Sequence, residues 1–299
     1  MTAVANSYAC VVEIGSIPIS LRTCDQRFLD LLRHRYAEFL SSACPQFELD
    51  FDLTNAGSAS DDDVRVRREG PLWLLERGDF QARWDPHKGC GHVRQNANPY
   101  ALDSVLRIVH TLILAERGGF LLHAASAICD SAETSASSRL TADGATGVLA
   151  RPMDAQAYLF SGISGAGKTT LTRLAPPDVT VLTDEISYVR PSERGYTAYG
   201  TPFAGELAKA GENCAAAVAA LFFLEKGPEN RIEPLSAAEA MHRLLRNILF
   251  FAEDRELVGN ILATACDFVS QVPIRRLVFY PDSQVWDDIR HFEGVPALG

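Results

Sequence analysis

The stretch Ala157-Tyr158-Leu159-Phe160-Ser161-Gly162-Ile163-Ser164-Gly165-Ala166-Gly167-Lys168-Thr169-Thr170-Leu171 decides the fold. An apolar run of strand length leads into the pattern G-x-x-x-x-G-K-T, and Thr170-Leu171-Thr172-Arg173-Leu174 suits a helix. Strand, glycine loop and helix in that order predict an α/β fold with a phosphate loop. Glycines let the backbone fold closely around phosphate oxygens, so that amide N–H groups and a helix N-terminus face concentrated negative charge. Gly162, Ser164, Gly165, Ala166, Gly167, Lys168, Thr169 and Thr170 are therefore the expected contacts to a nucleoside triphosphate such as ATP. Lys168 is expected to reach the β- and γ-phosphates, and the Thr169 hydroxyl to coordinate Mg²⁺.

Downstream, Pro176-Pro177 stops the helix and Val179-Thr180-Val181-Leu182-Thr183 reads as the next apolar strand. It ends in Asp184-Glu185, which places two carboxylates at an expected sheet edge beside the phosphates. Hard Mg²⁺ takes oxygen ligands, and an acceptor hydroxyl needs a base during phosphoryl transfer. Asp184 and Glu185 can divide those roles. Upstream, Phe120 to Ile128 reads as a buried strand carrying His123 among Leu121, Leu122 and Ala124. On its residues alone His123 reads more readily as a satisfied core histidine than as a functional one. A Ser/Thr/Ala/Gly-rich segment, Asp130 to Asp154, joins this strand to the phosphate-loop strand and reads as a mobile insertion.

Before residue 116 the chain reads as an α+β region. Tyr8 to Ile19 is extended, and Asp25 to Leu40 puts Phe28, Leu31, Leu32, Tyr36 and Phe39 on one helical face. Phe47 to Leu53 alternates like a strand, Asn55 to Asp63 is a polar loop, and Arg77-Gly78-Asp79 turns a hairpin between Trp73–Leu75 and Phe80–Trp84. A helix carrying Leu102, Val105, Leu106, Val109, Leu112 and Ile113 ends at Gly118-Gly119. Beyond the acidic pair, Leu221–Leu224 and Leu277–Tyr280 read as strands. Ser236, with Glu239 at capping-box spacing, opens a helix carrying Leu244, Leu245, Ile248 and Leu249, and a second helix covers Leu257 to Val269. The expected division is an N-terminal region over 1–115, a candidate for substrate or partner recognition, and a phosphate-loop core over 116–299.

Leu122-His123-Ala124-Ala125, Gly162 to Thr170, Leu182-Thr183-Asp184-Glu185 and Tyr199-Gly200-Thr201-Pro202-Phe203, in this order, resemble the HPr kinase/phosphorylase family, and the loop is similar to that of the phosphoenolpyruvate carboxykinases. The resemblance runs from about Gly118 to the C-terminus. It implies a P-loop kinase core, ATP and Mg²⁺ as cofactors, and transfer of the γ-phosphoryl group to a hydroxyl, foremost a serine of a peptide, protein or small metabolite. It further implies Asp184 as the base, Glu185 and Thr169 on the metal side, and His123 as a partner of the base or of a phosphate oxygen. The glycine-rich signature and arginine-bearing segment that serve phosphorolysis in that family have no clear counterpart here. A nucleotide-dependent carboxykinase and a non-catalytic ATP-binding sensor or assembly factor are the alternative readings.

Three weaker candidates complete the search. His87-x-x-Cys90-x-His92, with Asp85 nearby, holds metal-ligand residue types but reads as a turn, since no second paired motif accompanies it. Arg275-Arg276 reads as an exposed basic pair, and Glu206 as a loop carboxylate with a possible substrate or metal contact. The 299 residues carry a net charge of −10, and nothing in the composition suggests a basic surface of the kind that holds nucleic acid or anionic lipid. Seven scattered cysteines without a CxxC pair point to reduced thiols and a cytoplasmic setting. No apolar run is long enough for a signal peptide or a membrane span. A homo-oligomer is compatible with the sequence.

Overall fold

The computed structural model describes residues 7–54, 63–129, 149–150, 155–203, 205 and 211–294. These residues form a mixed α/β structure with two sheets and six α-helices. The expected loop Asn55–Asp63, apart from Asp63, and most of the insertion expected over 130–154 lie outside them, as does Glu206.

In the first sheet, β1 (Tyr8–Ile14) and β2 (Ile17–Thr23) pair antiparallel. The run read as one extended segment therefore folds back on itself. Gly15 and Ser16 make the turn, both at positive φ (60° and 57°), as two-residue hairpin turns require. Asp25 caps α1 (Gln26–Arg35) by accepting from Phe28 N at 2.9 Å. That helix stops short of the expected Leu40, and a single 3₁₀ turn at Ala37–Phe39 carries Phe39 into the core. Then follow β3 (Phe47–Leu53), β4 (Arg65–Glu69), β5 (Leu72–Arg77), β6 (Phe80–Asp85) and β7 (Cys90–Gln95), giving the order β1-β2-β3-β7-β6-β5-β4. The hairpin at Arg77-Gly78-Asp79 joins β5 to β6 as expected.

Helix α2 (Pro99–Arg117) is capped by the Asn98 side chain and closed by Gly118 at φ 73°. It packs against β6, against α5 (Arg255–Gln271) and against the first strand of the second sheet, so one apolar core takes in Trp84, Leu106, Phe120, Tyr188 and Phe268. Tyr188 is a joint in this core. Its hydroxyl lies 3.0 Å from His110 Nδ1, and a Cβ on Gly15 would stand 2.1 Å from its ring, so only glycine fits there.

The second sheet is built from β8 (Phe120–Cys129), β9 (Leu149–Ala150), β10 (Gln156–Ser161), β11 (Val179–Thr183), β12 (Ile186–Ser192), β13 (Gly195–Tyr199), β14 (Cys214–Lys226), β15 (Arg231–Pro234), β16 (Ile248–Leu249) and β17 (Ile274–Phe279). The pairings β10–β8–β12–β13–β14–β10 return on themselves and close a ring. Helix α3 (Lys168–Arg173) follows β10, α4 (Ala237–Asn247) opens at Ser236, and α6 (Val285–Arg290) packs on α3 through Trp286 Nε1, which donates to Leu171 O at 3.2 Å. Ile248 and Leu249, expected on α4, instead leave the helix and pair with β8. The capping box is half realised: Ser236 accepts from Glu239 N, while the Glu239 carboxylate binds Arg243 and Arg276.

Candidate phosphate-binding cleft

The phosphate loop leaves the end of β10, which lies between antiparallel β8 and parallel β14 and is buried from Ala157 onward. Gly165 and Gly167 have φ of 76° and 114°, a backbone that side-chain-bearing residues rarely adopt. A Cβ on Gly167 would stand 2.9 Å from the Phe279 ring. Lys168 is largely buried, and its Nζ donates to Gly162 O at 2.8 Å, back across the loop that it closes.

The acidic pair does not stand at a sheet edge, as expected, but in a gap within a sheet. β11 and β12 run along the same side of β8, pairing with Ser126–Cys129 and with Phe120–His123, and Asp184-Glu185 fills the interval between them. A gap in a ladder leaves backbone groups without partners, and buried ones must be met by other groups. Hydroxyls meet them here. Ser187 Oγ donates to Ala124 O at 2.8 Å and Ser161 Oγ to His123 O at 2.9 Å. Thr183 Oγ1 accepts from Glu185 N and Ile186 N, both at 3.3 Å. Thr201 Oγ1 donates to Ile186 O at 2.9 Å and lies 3.3 Å from Thr183 Oγ1. Gly205 N then donates to Asp184 Oδ1 at 3.0 Å.

These elements enclose a cleft of about 520 Å³ lined by His123, Ser164, Gly165, Gly167, Lys168, Thr169, Thr170, Asp184, Glu185 and Gly205. Every sequence-expected site residue except Gly162 and Ala166 lines it. Those two face a second cleft on the other side of the loop, where Ser164 and Gly165 also contribute. His123 alone in β8 is not buried, so its side chain belongs to the cleft as well as to the strand. Burial lowers its pKa, and Lys168 and Arg107 push the same way. Burial pushes the Glu185 carboxyl above its ordinary range; Arg107 opposes the rise and Asp184 adds to it.

Arg107 is the functional candidate that the sequence reading missed. Its Nη2 lies 3.9 Å from Glu185 Oε2 and its guanidinium stacks 5.0 Å over the Phe203 ring. One turn earlier on α2, buried Asp103 pairs with Arg35 and accepts from Tyr36 Oη at 2.7 Å. Asp103 and Arg107 were legible as an i, i+4 charge pair inside an otherwise apolar helix, a placement that asks for partners.

The weaker candidates resolve as follows. Among the described residues no group of three or more His, Cys, Asp or Glu side chains is arranged to hold a metal. Asp85 caps the turn after β6 by accepting from His87 N and Lys88 N, and His92 pairs with Asp52 at 2.9 Å. Arg276 is not exposed as expected: it is half-buried in a network with Glu225, Glu233 and Glu239, and Arg275 stacks on Phe292. All seven cysteines are free. Among the described residues no helix is long and apolar enough to cross a membrane. Comparison of the chain with models of protein families and with curated proteins finds no match, so a reading of the cleft rests on its own geometry and chemistry.

Proposed function

We propose that the chain is an ATP- and Mg²⁺-dependent phosphotransferase with a P-loop kinase core over 116–299, and that it passes the γ-phosphoryl group to a hydroxyl. One observation carries the reading: a phosphate loop with its lysine and threonine, a histidine and two adjacent carboxylates converge on one cleft.

Oxygen donors suit Mg²⁺, which binds one or two carboxylates, keeps several waters and shares phosphate oxygens. The donor set of Thr169, Asp184 and Glu185 fits that description. Bound there, the metal would neutralise charge on the phosphates. Lys168, now bonded to Gly162 O, would turn its ammonium to the β- and γ-phosphates as they displace that contact. Asp184, aimed by the Gly205 amide, accepts the proton of the acceptor hydroxyl as its oxygen bonds to the γ-phosphorus and the bond to the β-γ bridging oxygen breaks. His123, on the wall of the same cleft, is able to donate a hydrogen bond to a phosphoryl oxygen or to the base.

The test is label transfer from γ-labelled ATP, with Mg²⁺, to serine peptides and free hydroxy compounds, comparing wild type with Asp184→Asn. Transfer in the wild type and its loss in the variant are expected. Equal transfer in both removes Asp184 as the base; ATP binding without any transfer favours a nucleotide sensor.

A further inference from the structure

We infer that Arg107, reaching over from α2, is the positioning residue that orients the Glu185 carboxylate, and that the Phe203 ring is the platform that holds its guanidinium in place. The effect on turnover rests on the phosphotransferase reading; the effect on the carboxylate's position does not.

The hydroxyls around the gap fix backbone and leave the Glu185 side chain to other groups. Among the described residues, Arg107 is the ion-pair partner of that carboxylate, and no hydrogen bond to the carboxylate accompanies the pair. Nη2 stands 3.9 Å from Oε2, beyond hydrogen-bond length. At that distance charge draws the carboxylate to one side of the cleft while its lone pairs stay open to a ligand. The guanidinium is fixed in its turn, since it lies 5.0 Å over the ring of wholly buried Phe203.

Arg107 is kept available for this task. Asp103, four residues earlier on α2, is the partner that helix geometry offers it. Buried Asp103 is taken instead: Arg35 reaches both of its oxygens, and Tyr36 Oη donates to Oδ1 at 2.7 Å. The charge of Arg107 is thereby left to Glu185. Its Nε is buried without a hydrogen-bond partner among the described residues, and a donor buried unpaired costs stability. An arginine placed at that cost, with its charge turned to a carboxylate of the cleft, is accounted for by what it orients.

The experiment reads position first and activity second. Crystal structures of the full chain, without nucleotide, compare wild type with Arg107→Met, which keeps the length of the side chain and loses its charge. The Glu185 carboxylate is expected to move by at least about 1 Å or to lose its single conformation, a displacement large enough to matter for rate, while α2 and the phosphate loop stay in place. Label transfer from γ-labelled ATP with Mg²⁺ then closes a cycle. Arg107→Met should lower turnover at least about tenfold in the wild-type background and by less than about twofold beside Glu185→Gln, because a residue that acts through Glu185 has nothing left to orient. Arg107→Lys, which keeps the charge and loses the planar face over Phe203, should recover part of the turnover. An unmoved Glu185 in Arg107→Met, a shift of α2 as large as that of Glu185, or an equal loss of turnover in both backgrounds overturns the inference. Because position is read without turnover, a displaced Glu185 in a chain whose wild type transfers no label defeats the phosphotransferase reading instead.

Discussion

Thr183→Val removes one oxygen and almost no volume, and that oxygen sits where the sheet is interrupted. It is buried, accepts from Glu185 N and Ile186 N at 3.3 Å each, and lies 3.3 Å from Thr201 Oγ1. A buried donor left without its acceptor costs about 1–3 kcal/mol. Both bonds are long, which puts each at the weak end of that range, and Glu185 is partly open to water. The expected loss is therefore about 1–2 kcal/mol, read as a lower urea midpoint with an unchanged denaturant slope. Turnover should fall further than stability does, because the same oxygen fixes the carboxylates; a displacement of about 1 Å is worth roughly 100-fold in rate. Thr183→Ser, which keeps the oxygen, should retain most of the turnover. A cycle with Thr201→Val should show coupling above about 0.5 kcal/mol. A stability change within about 0.5 kcal/mol, the scale of ordinary surface substitutions, together with normal turnover, would refute the claim that hydroxyls hold the gap.

Gly205→Ala tests the same geometry from the other side. The new Cβ would stand 2.8 Å from Glu185 Cβ and 2.9 Å from Asp184 Oδ2, so the acidic pair must retreat; a rate loss of about tenfold or more is expected, and a wild-type rate would show that the segment yields instead. Lys168→Met removes a charge-assisted contact worth about 1.5–3 kcal/mol, so calorimetric titration with Mg²⁺ and an ATP analogue should show affinity lowered roughly 10- to 150-fold; undiminished affinity would take the loop out of triphosphate binding. For His110, burial lowers the pKa to about 3, with Arg190 and Arg117 acting in the same direction. The unfolded chain takes up that proton near the ordinary value of 6.5 while the folded one does not, so this stability is full above 6.5 and is lost as pH falls from 6.5 toward 3. The slope from this group approaches about 1.4 kcal/mol per pH unit, and His110→Gln should flatten it in denaturation curves taken from pH 6.5 to 4.5; parallel curves would contradict the assignment.

What the sequence made legible divides along sequence distance. The phosphate loop is local: strand, glycines and helix follow one another within about twenty residues, and positive-φ demands at Gly165 and Gly167 are met by residue type alone. The hairpin at Gly78-Asp79, the cap at Ser236 and the stop at Gly118 are local in the same sense. The contacts that aim the acidic pair are not. Gly205 reaches Asp184 across 21 positions, and Arg107 reaches Glu185 from a helix in the N-terminal region. Helical periodicity continued past Asn247 through Ile248 and Leu249, yet pairing with β8 overrode it, because that edge of Leu121 and Leu122 offered backbone partners. Tertiary demand of this kind leaves no mark on a short window of sequence.

The gap in the ladder explains why the carboxylates and the loop belong to one device. An unbroken strand beside β8 would alternate its side chains across the sheet and could present only one of Asp184 and Glu185 to the phosphate loop. Interrupting the strand for two residues frees both to face the same cleft, but exposes backbone groups at the centre of a sheet, where water is scarce. Four hydroxyls, from Ser161, Thr183, Ser187 and Thr201, bond backbone bordering the gap and the cleft. Two of them stand on the flanks of the functional motifs themselves, Ser161 just before Gly162 and Thr183 just before Asp184. Each motif therefore carries its own support, and each support bonds backbone that borders the cleft. Replacing any one hydroxyl should loosen the carboxylates without touching a direct contact of the loop to phosphate, so such variants should lower turnover more than nucleotide affinity. Loss of both together, in a variant that still folds, would mean that the loop and the gap are not independently held.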